Sequence, residues 1–323
     1  MKKLFLTLAM ALFGFAAMAQ DAPQGKPIIT LFGNFHSGIN EEVYENLGFE
    51  IDRAYLGYQL NFDQNWSAKV VYDMGETAIK ADASAANQRI GFLKNAMIGY
   101  TKGNLNVRAG LTDCEAFTFQ QNFWGYRYVY KSFMDKNGWD NSADLSVVAQ
   151  YKVTDWFSAD LSIFNGEGFK KLQLDNQLSY GLGLTFLPIE GLNVRLYGEI
   201  KSGWYTQQEM ASVFVGYKHE HFRIGAEYNM VRNMKNVEDV DMDGFSIYAT
   251  GIVNKKIEVY ARYDQGATSD DFMNLYRCKQ ESILGLQYKV NKMFSLSPNF
   301  RCVQTPGDAS TDYYGYLSAL VKF

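Results

Sequence analysis

"LNVRLYGEIK", residues 192–201, decides the fold. Leu192, Val194, Leu196 and Ile200 fall on one parity, and Asn193, Arg195, Glu199 and Lys201 on the other. A period of two between apolar and polar residues is a strand with one wet face and one apolar face. The same beat runs through "RAYLGYQLNF" (53–62), where Ala54, Leu56, Tyr58, Leu60 and Phe62 oppose Arg53, Gln59 and Asn61. It returns in "SADLSVVAQYKV" (142–153), with Ala143, Leu145, Val147, Ala149, Tyr151 and Val153 against Asp144, Ser146, Gln150 and Lys152.

Working outward, about sixteen such segments fill the chain: 27–38, 48–62, 66–73, 92–102, 105–112, 142–153, 157–165, 177–187, 192–202, 209–218, 221–230, 244–253, 257–264, 281–290, 293–303 and 312–323. Every second connection is tight: Asp63-Gln64-Asn65, Lys102-Gly103-Asn104, Thr154-Asp155-Trp156, Pro188-Ile189-Glu190-Gly191, His219-Glu220, Asn254-Lys255-Lys256 and Asn291-Lys292. The others are mostly long. Alternating short turns and long loops is the layout of an outer-membrane barrel.

The charges separate this reading from a soluble sandwich. With the apolar parity taken as outward, Arg53, Lys69, Arg108, Lys152, Arg195, Lys201, Arg223, Arg262 and Arg301 all fall on the opposite side. So do Asp73, Asp144, Asp160, Glu199, Glu227, Glu258 and Asp264. Such a set cannot line a dry core, because unpaired buried charges cost several kcal/mol each. The expectation is therefore an all-β, antiparallel, up-and-down transmembrane barrel, apolar outside and wet inside. It must close, since an open edge in lipid leaves backbone groups unpaired, and on an even number of strands if both termini are to return to the periplasm.

The ends fit export to an outer membrane. Lys2 and Lys3 precede the apolar run Leu4 to Phe15, and Ala17-Met18-Ala19 offers small residues for cleavage after position 19. This reads as a secretory signal peptide (1–19) for the Sec pathway, leaving a barrel domain of 20–323. The leader carries two of the 31 bases, so 29 face 35 acids, a formal −6. That balance argues against a nucleic-acid partner. Three cysteines at irregular spacing set no disulfide framework.

The last strand, "YYGYLSALVKF", ends on Phe323. A terminal Phe resembles the outer-membrane porins, where it implies recognition by the barrel-assembly machinery. "IDRAYLGYQL", "WSAKVVYDMG" and "WGYRYVYKSFMD" together resemble the phosphate-selective porins O and P. That resemblance implies an anion channel, a homotrimer, and outer-membrane lipid and lipopolysaccharide as surroundings.

One stretch breaks the alternation. Residues 113–141 hold "WGYRYVYKSF" (124–133), with Trp124, Tyr126, Tyr128, Tyr130 and Phe133 around Arg127 and Lys131. Loops this long are functional or disordered, and this one is too aromatic to be disordered. In a barrel of sixteen strands, too wide for side chains to fill, it is expected to fold inward as a constriction. Trp124, Tyr126 and Tyr128 would anchor it, with Arg127 and Lys131, four apart and so on one helical face, pointing into the pore. The alternatives are a loop over the extracellular mouth or one buried in a trimer contact.

The second candidate is the wall itself. Arg53, Lys69, Arg108, Arg195, Arg223, Arg262 and Arg301 could form successive weak anion sites. The acids on the same face could equally neutralise them across strands. Nothing points to catalysis, a cofactor or a metal. No Ser–His pair sits on the outer wall, His219-Glu220-His221 reads as a solvated turn, and Asp239, Asp241 and Asp243 lack the spacing of a calcium loop. The expected function is a porin passing small hydrophilic solutes, with a weak anion preference. A sugar- or peptide-specific channel and a plugged barrel acting as adhesin or anchor are the rivals.

Overall fold

The computed structural model describes residues 23–75, 90–173, 175–268, 279–305 and 310–323. The leader at 1–19 and Cys278 lie outside these. Sixteen antiparallel strands form one closed barrel, each paired with its neighbours in sequence and β1 sealed against β16. They are β1 (Gln24–Gly38), β2 (Leu47–Asn61), β3 (Trp66–Gly75), β4 (Ile90–Lys102), β5 (Leu105–Asp113) and β6 (Ala143–Lys152). Then come β7 (Phe157–Phe164), β8 (Ser179–Phe186), β9 (Leu192–Lys201), β10 (Gln208–Lys218) and β11 (Phe222–Arg232). The last are β12 (Met242–Ile252), β13 (Ile257–Thr268), β14 (Gln280–Lys289), β15 (Phe294–Gln304) and β16 (Asp312–Lys322). All sixteen expected segments are strands, with ends displaced by no more than four residues. Two short helices, α1 (Glu115–Trp124) and α2 (Phe133–Asn137), interrupt the sequence between β5 and β6.

Local chemistry explains the tight turns. Asp63, Asn254 and Asn291 each open one, and each side chain accepts two backbone N–H groups that the ladder leaves free, at 2.7–3.0 Å. This is the Asx turn, a side chain standing in for a backbone acceptor. Gly103 supplies the positive φ that another turn requires.

The wall is inverted in polarity. Buried positions on the strands include Asp73, Asp160, Arg195, Glu199, Glu227, Asn229, Arg262 and Asp264, whereas Val213, Val215, Ile224, Ile247, Leu284 and Leu317 are exposed. Aromatic residues gather on the outer face towards both ends. Trp66, Tyr151 and Phe222 lie near the short turns; Phe49, Tyr180, Tyr228 and Phe245 lie near the long loops. Two aromatic girdles flanking an apolar band are the signature of strands that span a membrane.

Two strands carry bulges that the alternation does not show. Pairing of β1 with β2 slips at Phe32/Gly33, leaving Asp52 as the extra residue. Pairing of β3 with β4 slips at Val71/Tyr72, leaving Lys94 extra. A bulge lets two consecutive side chains share one face. Lys94 and Asn95 both reach Asp113, at 3.7 and 3.2 Å. Asp52 accepts both of its hydrogen bonds from Asn34 at 2.9 Å, while Arg53 beside it pairs with Asp73 at 2.9 Å.

Candidate functional site

The segment between β5 and β6 owes its shape to its own sequence. In α1, Ala116, Phe117, Gln120, Phe123 and Trp124 are buried, while Thr118, Gln121 and Asn122 form a polar stripe on another side. Gly125, in the left-handed region at φ 79°, ends the helix and returns its N–H to the Gln121 carbonyl. Residues 125–132 are not helical: a turn brings the N–H groups of Val129 and Tyr130 onto the Tyr126 carbonyl at 2.8 and 2.9 Å. Arg127 and Lys131 therefore do not share a helical face. Gly138, again left-handed, closes α2.

Every wall residue this segment packs on belongs to the inward parity. Phe123 meets Phe214 at 5.0 Å between ring centroids, Trp124 meets Tyr248 at 5.0 Å, and Tyr126 stacks on Tyr260 at 4.4 Å. Trp139 stands edge-on to Phe133 at 5.0 Å within a second cluster that includes Met210, Val231, Met234 and Met242. Glycines on neighbouring strands make room. A Cβ at Gly225 would meet the Tyr248 ring at 2.6 Å, and one at Gly285 would meet the Tyr260 ring at 2.4 Å.

Four arginines, one on every second strand, then hold the backbone. Arg195 on β9 donates to the Glu115 carbonyl at 3.1 Å, and Arg223 on β11 to the Trp124 carbonyl at 2.9 Å. Arg262 on β13 donates to the Lys131 carbonyl at 2.9 Å, and Arg301 on β15 to the Val129 carbonyl at 2.8 Å. The last turn of α1 has no basic residue of its own. Arg223 supplies the cation that a helix C-terminus favours.

Side chains complete the docking. Tyr126 donates to Glu258 at 2.6 Å and Tyr128 to Gln287 at 2.9 Å. Burial pushes both phenols up, so they remain protonated donors. Glu115 accepts from Arg108 at 2.5 Å; burial raises its carboxyl, against the pull of the Arg108 charge. Lys136 pairs with Glu281.

Apart from Lys131, whose carbonyl Arg262 holds, and Lys152 and Lys201, paired with Asp155 and Asp140, the bases singled out from sequence divide into two groups. Arg108, Arg195, Arg223, Arg262 and Arg301 hold the segment, and Arg195 and Arg262 are also paired with Asp160 and Asp264 at 2.7 and 2.6 Å. Arg53, Lys69 and Arg127 belong to the side the segment leaves open. There a cavity of about 530 Å³ lies between α1 and the β1–β5 wall, and its lining includes Tyr55, Lys69, Lys94, Asp113, Arg127 and Asp135. Arg127 pairs with Asp135 at 2.9 Å, and Lys69 shares Asp113 with Lys94 at 3.2 Å. Burial alone would raise the Asp135 carboxyl, but the charges of Arg127, Lys131, Lys94 and Arg53 hold it below its usual value. Lys94 escaped the alternation because a bulge aims it inward. The signal was in the sequence as a lysine on the apolar parity of "FLKNAMIGY".

A second cavity, also about 530 Å³, lies at the short-turn end beside Asn104, Asn106, Gln150 and Trp156. Thr118 and Asn122 line both cavities. The polar stripe of α1 is thus common to the two spaces.

No family model matches this chain, and no curated protein matches its sequence. The likeness lies in the fold. OmpF of Salmonella typhi, solved with daunomycin, superposes with a TM-score of 0.70 at 10% identity, over 93% of this chain and 97% of that one. An anion-selective porin from Comamonas acidovorans gives 0.67 at 9% identity, over 93% and 100%. In-vitro folded OmpT of Vibrio cholerae, an outer membrane protein in a trimer form, gives 0.63 at 13% identity, over 94% and 100%.

Proposed function

We propose that the protein is an outer-membrane porin: a passive conduit, not an enzyme, through which small hydrophilic solutes diffuse along a water-filled lumen. On this reading residues 1–19 are removed during Sec export. The remaining chain is inserted by the barrel-assembly machinery through the strand ending at Phe323. It then sits among lipid and lipopolysaccharide as a homotrimer, the state in which one solved structure of the same fold is found.

The observation that carries the proposal is the cavity beside α1. The segment at 113–141 packs on the β9–β15 side of the inner wall, and on this reading the space beside α1 is the constricted passage. Its lining holds Lys69, Lys94, Arg127 and Lys322 with Asp113 and Asp135. The excess of bases gives a weak preference for anions, including phosphate, in the way charged rings at a constriction discriminate ions. The anchoring roles of Trp124, Tyr126 and Tyr128 follow from their packing.

The test is the reversal potential in a KCl gradient across a planar bilayer. A chloride preference that falls towards zero in the Lys69→Ala, Lys94→Ala double variant supports the reading. A channel whose preference does not move places selectivity elsewhere. A barrel that passes no current at all overturns the porin assignment and returns the plugged anchor.

A further inference from the structure

We infer that the chamber at the short-turn end is a binding subsite for neutral saccharides, a claim that rests on the water-filled channel proposed above. Its chemistry differs from that of the passage beside α1. The charged groups in its floor cancel: Arg108 pairs with Glu115 at 2.5 Å, and Arg195 grips Asp160 through both terminal nitrogens at 2.7 and 3.0 Å. An ion entering here finds each cation already matched to a carboxylate. What remains is the pattern of a polyhydroxylated ligand: carboxamides, hydroxyls and aromatic surface.

Asn106, Asn122, Gln150, Thr118 and Thr185 line the space with Phe119. Gln150 spends a donor on Glu115 at 3.1 Å, and Asn106 spends one on Thr101 at 2.7 Å. Their carbonyl oxygens are left to accept. The exposed Asn122 amide can donate and accept at once, as a sugar hydroxyl does. Phe119, partly buried and lying 5.9 Å from the Arg195 guanidinium, offers the flat apolar surface that the C–H face of a pyranose covers.

The volume, about 530 Å³, falls in the range of roughly 300–1,000 Å³ typical of small-ligand sites. A zwitterionic dipeptide is the competing occupant. It would have to compete with three ion pairs already made in the lining, Lys152 with Asp155 at 2.6 Å included, so the paired surface favours the uncharged ligand. Because Thr118 and Asn122 also line the cationic passage, a sugar moving along α1 would reach the chamber without leaving the polar stripe.

Two measurements test this, using the whole barrel purified in a polyoxyethylene detergent, which carries no sugar head group. Calorimetric titration with maltose and with glucose should give saturable heat for at least one of them in the millimolar range, and alanylalanine should give none. In a bilayer the same sugar should lower the KCl current in a saturable way. The Asn106→Ala, Asn122→Ala double variant should bind about tenfold more weakly, as expected for the loss of two or so neutral hydrogen bonds. No saturable heat with either sugar overturns the inference, as does a double variant that binds like the wild type, or a dipeptide that binds where sugars do not. Sugar binding in a barrel that carries no current would keep the subsite and overturn the channel. Current without sugar binding would do the reverse.

Discussion

Arg223 reaches across from β11 to donate to the carbonyl of Trp124 at 2.9 Å. One wall side chain thereby closes the helix whose own last turn has no base. A charge-assisted hydrogen bond of this kind contributes about 1.5–3 kcal/mol. Replacing Arg223 with Met should weaken docking of the segment by about 2 kcal/mol while leaving the barrel closed. Limited trypsin digestion at Arg127 and Lys131, read by mass spectrometry, should quicken in that variant. A cleavage rate equal to the wild type would show that the aromatic contacts alone fix the segment.

The acid at the junction of β5 and the segment restrains the passage. Asp113 serves both Lys69 and Lys94, so Asp113→Asn leaves two bases matched by one carboxylate fewer. Chloride preference should rise, the opposite of the effect of removing the lysines. Reversal potentials of the two variants measured side by side check the sign.

Space at the inner wall gives a paired prediction. Gly225→Val would drive methyl groups into the Tyr248 ring, which already lies 2.6 Å from an added Cβ, and through it into Trp124. Overpacking of this kind costs about 1–3 kcal/mol. On the outer wall, a Cβ at Gly251 meets nothing closer than 4.0 Å, so Gly251→Ala should be silent. The temperature at which each barrel loses its heat-resistant gel mobility distinguishes them.

The contact between Arg127 and Asp135 should also respond to acid. Against the upward push of burial, Arg127, Lys131, Lys94 and Arg53 keep the Asp135 carboxyl below its ordinary value. A carboxyl depressed in the folded state contributes stability above its unfolded pKa of about 3.9 and loses it as the pH falls through the folded value. Channel noise from a loosened segment should therefore be absent between pH 7 and 5 and emerge below about 4. In Asp135→Asn that acid step should disappear, with noise present at neutral pH.

The barrel was legible because its physics is local: a strand with lipid on one side and water on the other must alternate, and sixteen segments did. The bulges were not, since a single extra residue reverses the parity on which the reading depends. In β2 the apolar set runs Ala54, Leu56, Tyr58 below Asp52 but Phe49, Ile51 above it. That switch, with an acid stranded at its centre, was the available sign. The helix α1 was hidden for another reason. The aromatics from its last residue onward, Trp124 to Phe133, drew attention as a cluster, while the period that marks it lies in the polar Thr118, Gln121 and Asn122. The use of the arginines could not be read at all. Each stands at a wet strand position, and only the folded chain shows which of them meets a carbonyl.

Those carbonyls also order events in time. The segment leaves the wall after β5, yet its arginine partners lie 80, 99, 131 and 172 residues further along the chain. Contacts so remote in sequence form late, after the cost of closing long loops has been met. The seat for Val129 does not exist until β15 is in place, one strand before β1 meets β16. The last of the four seats therefore forms one strand before the cylinder is sealed, and a sheet that stops short of β15 holds the segment by some of its anchors and not all.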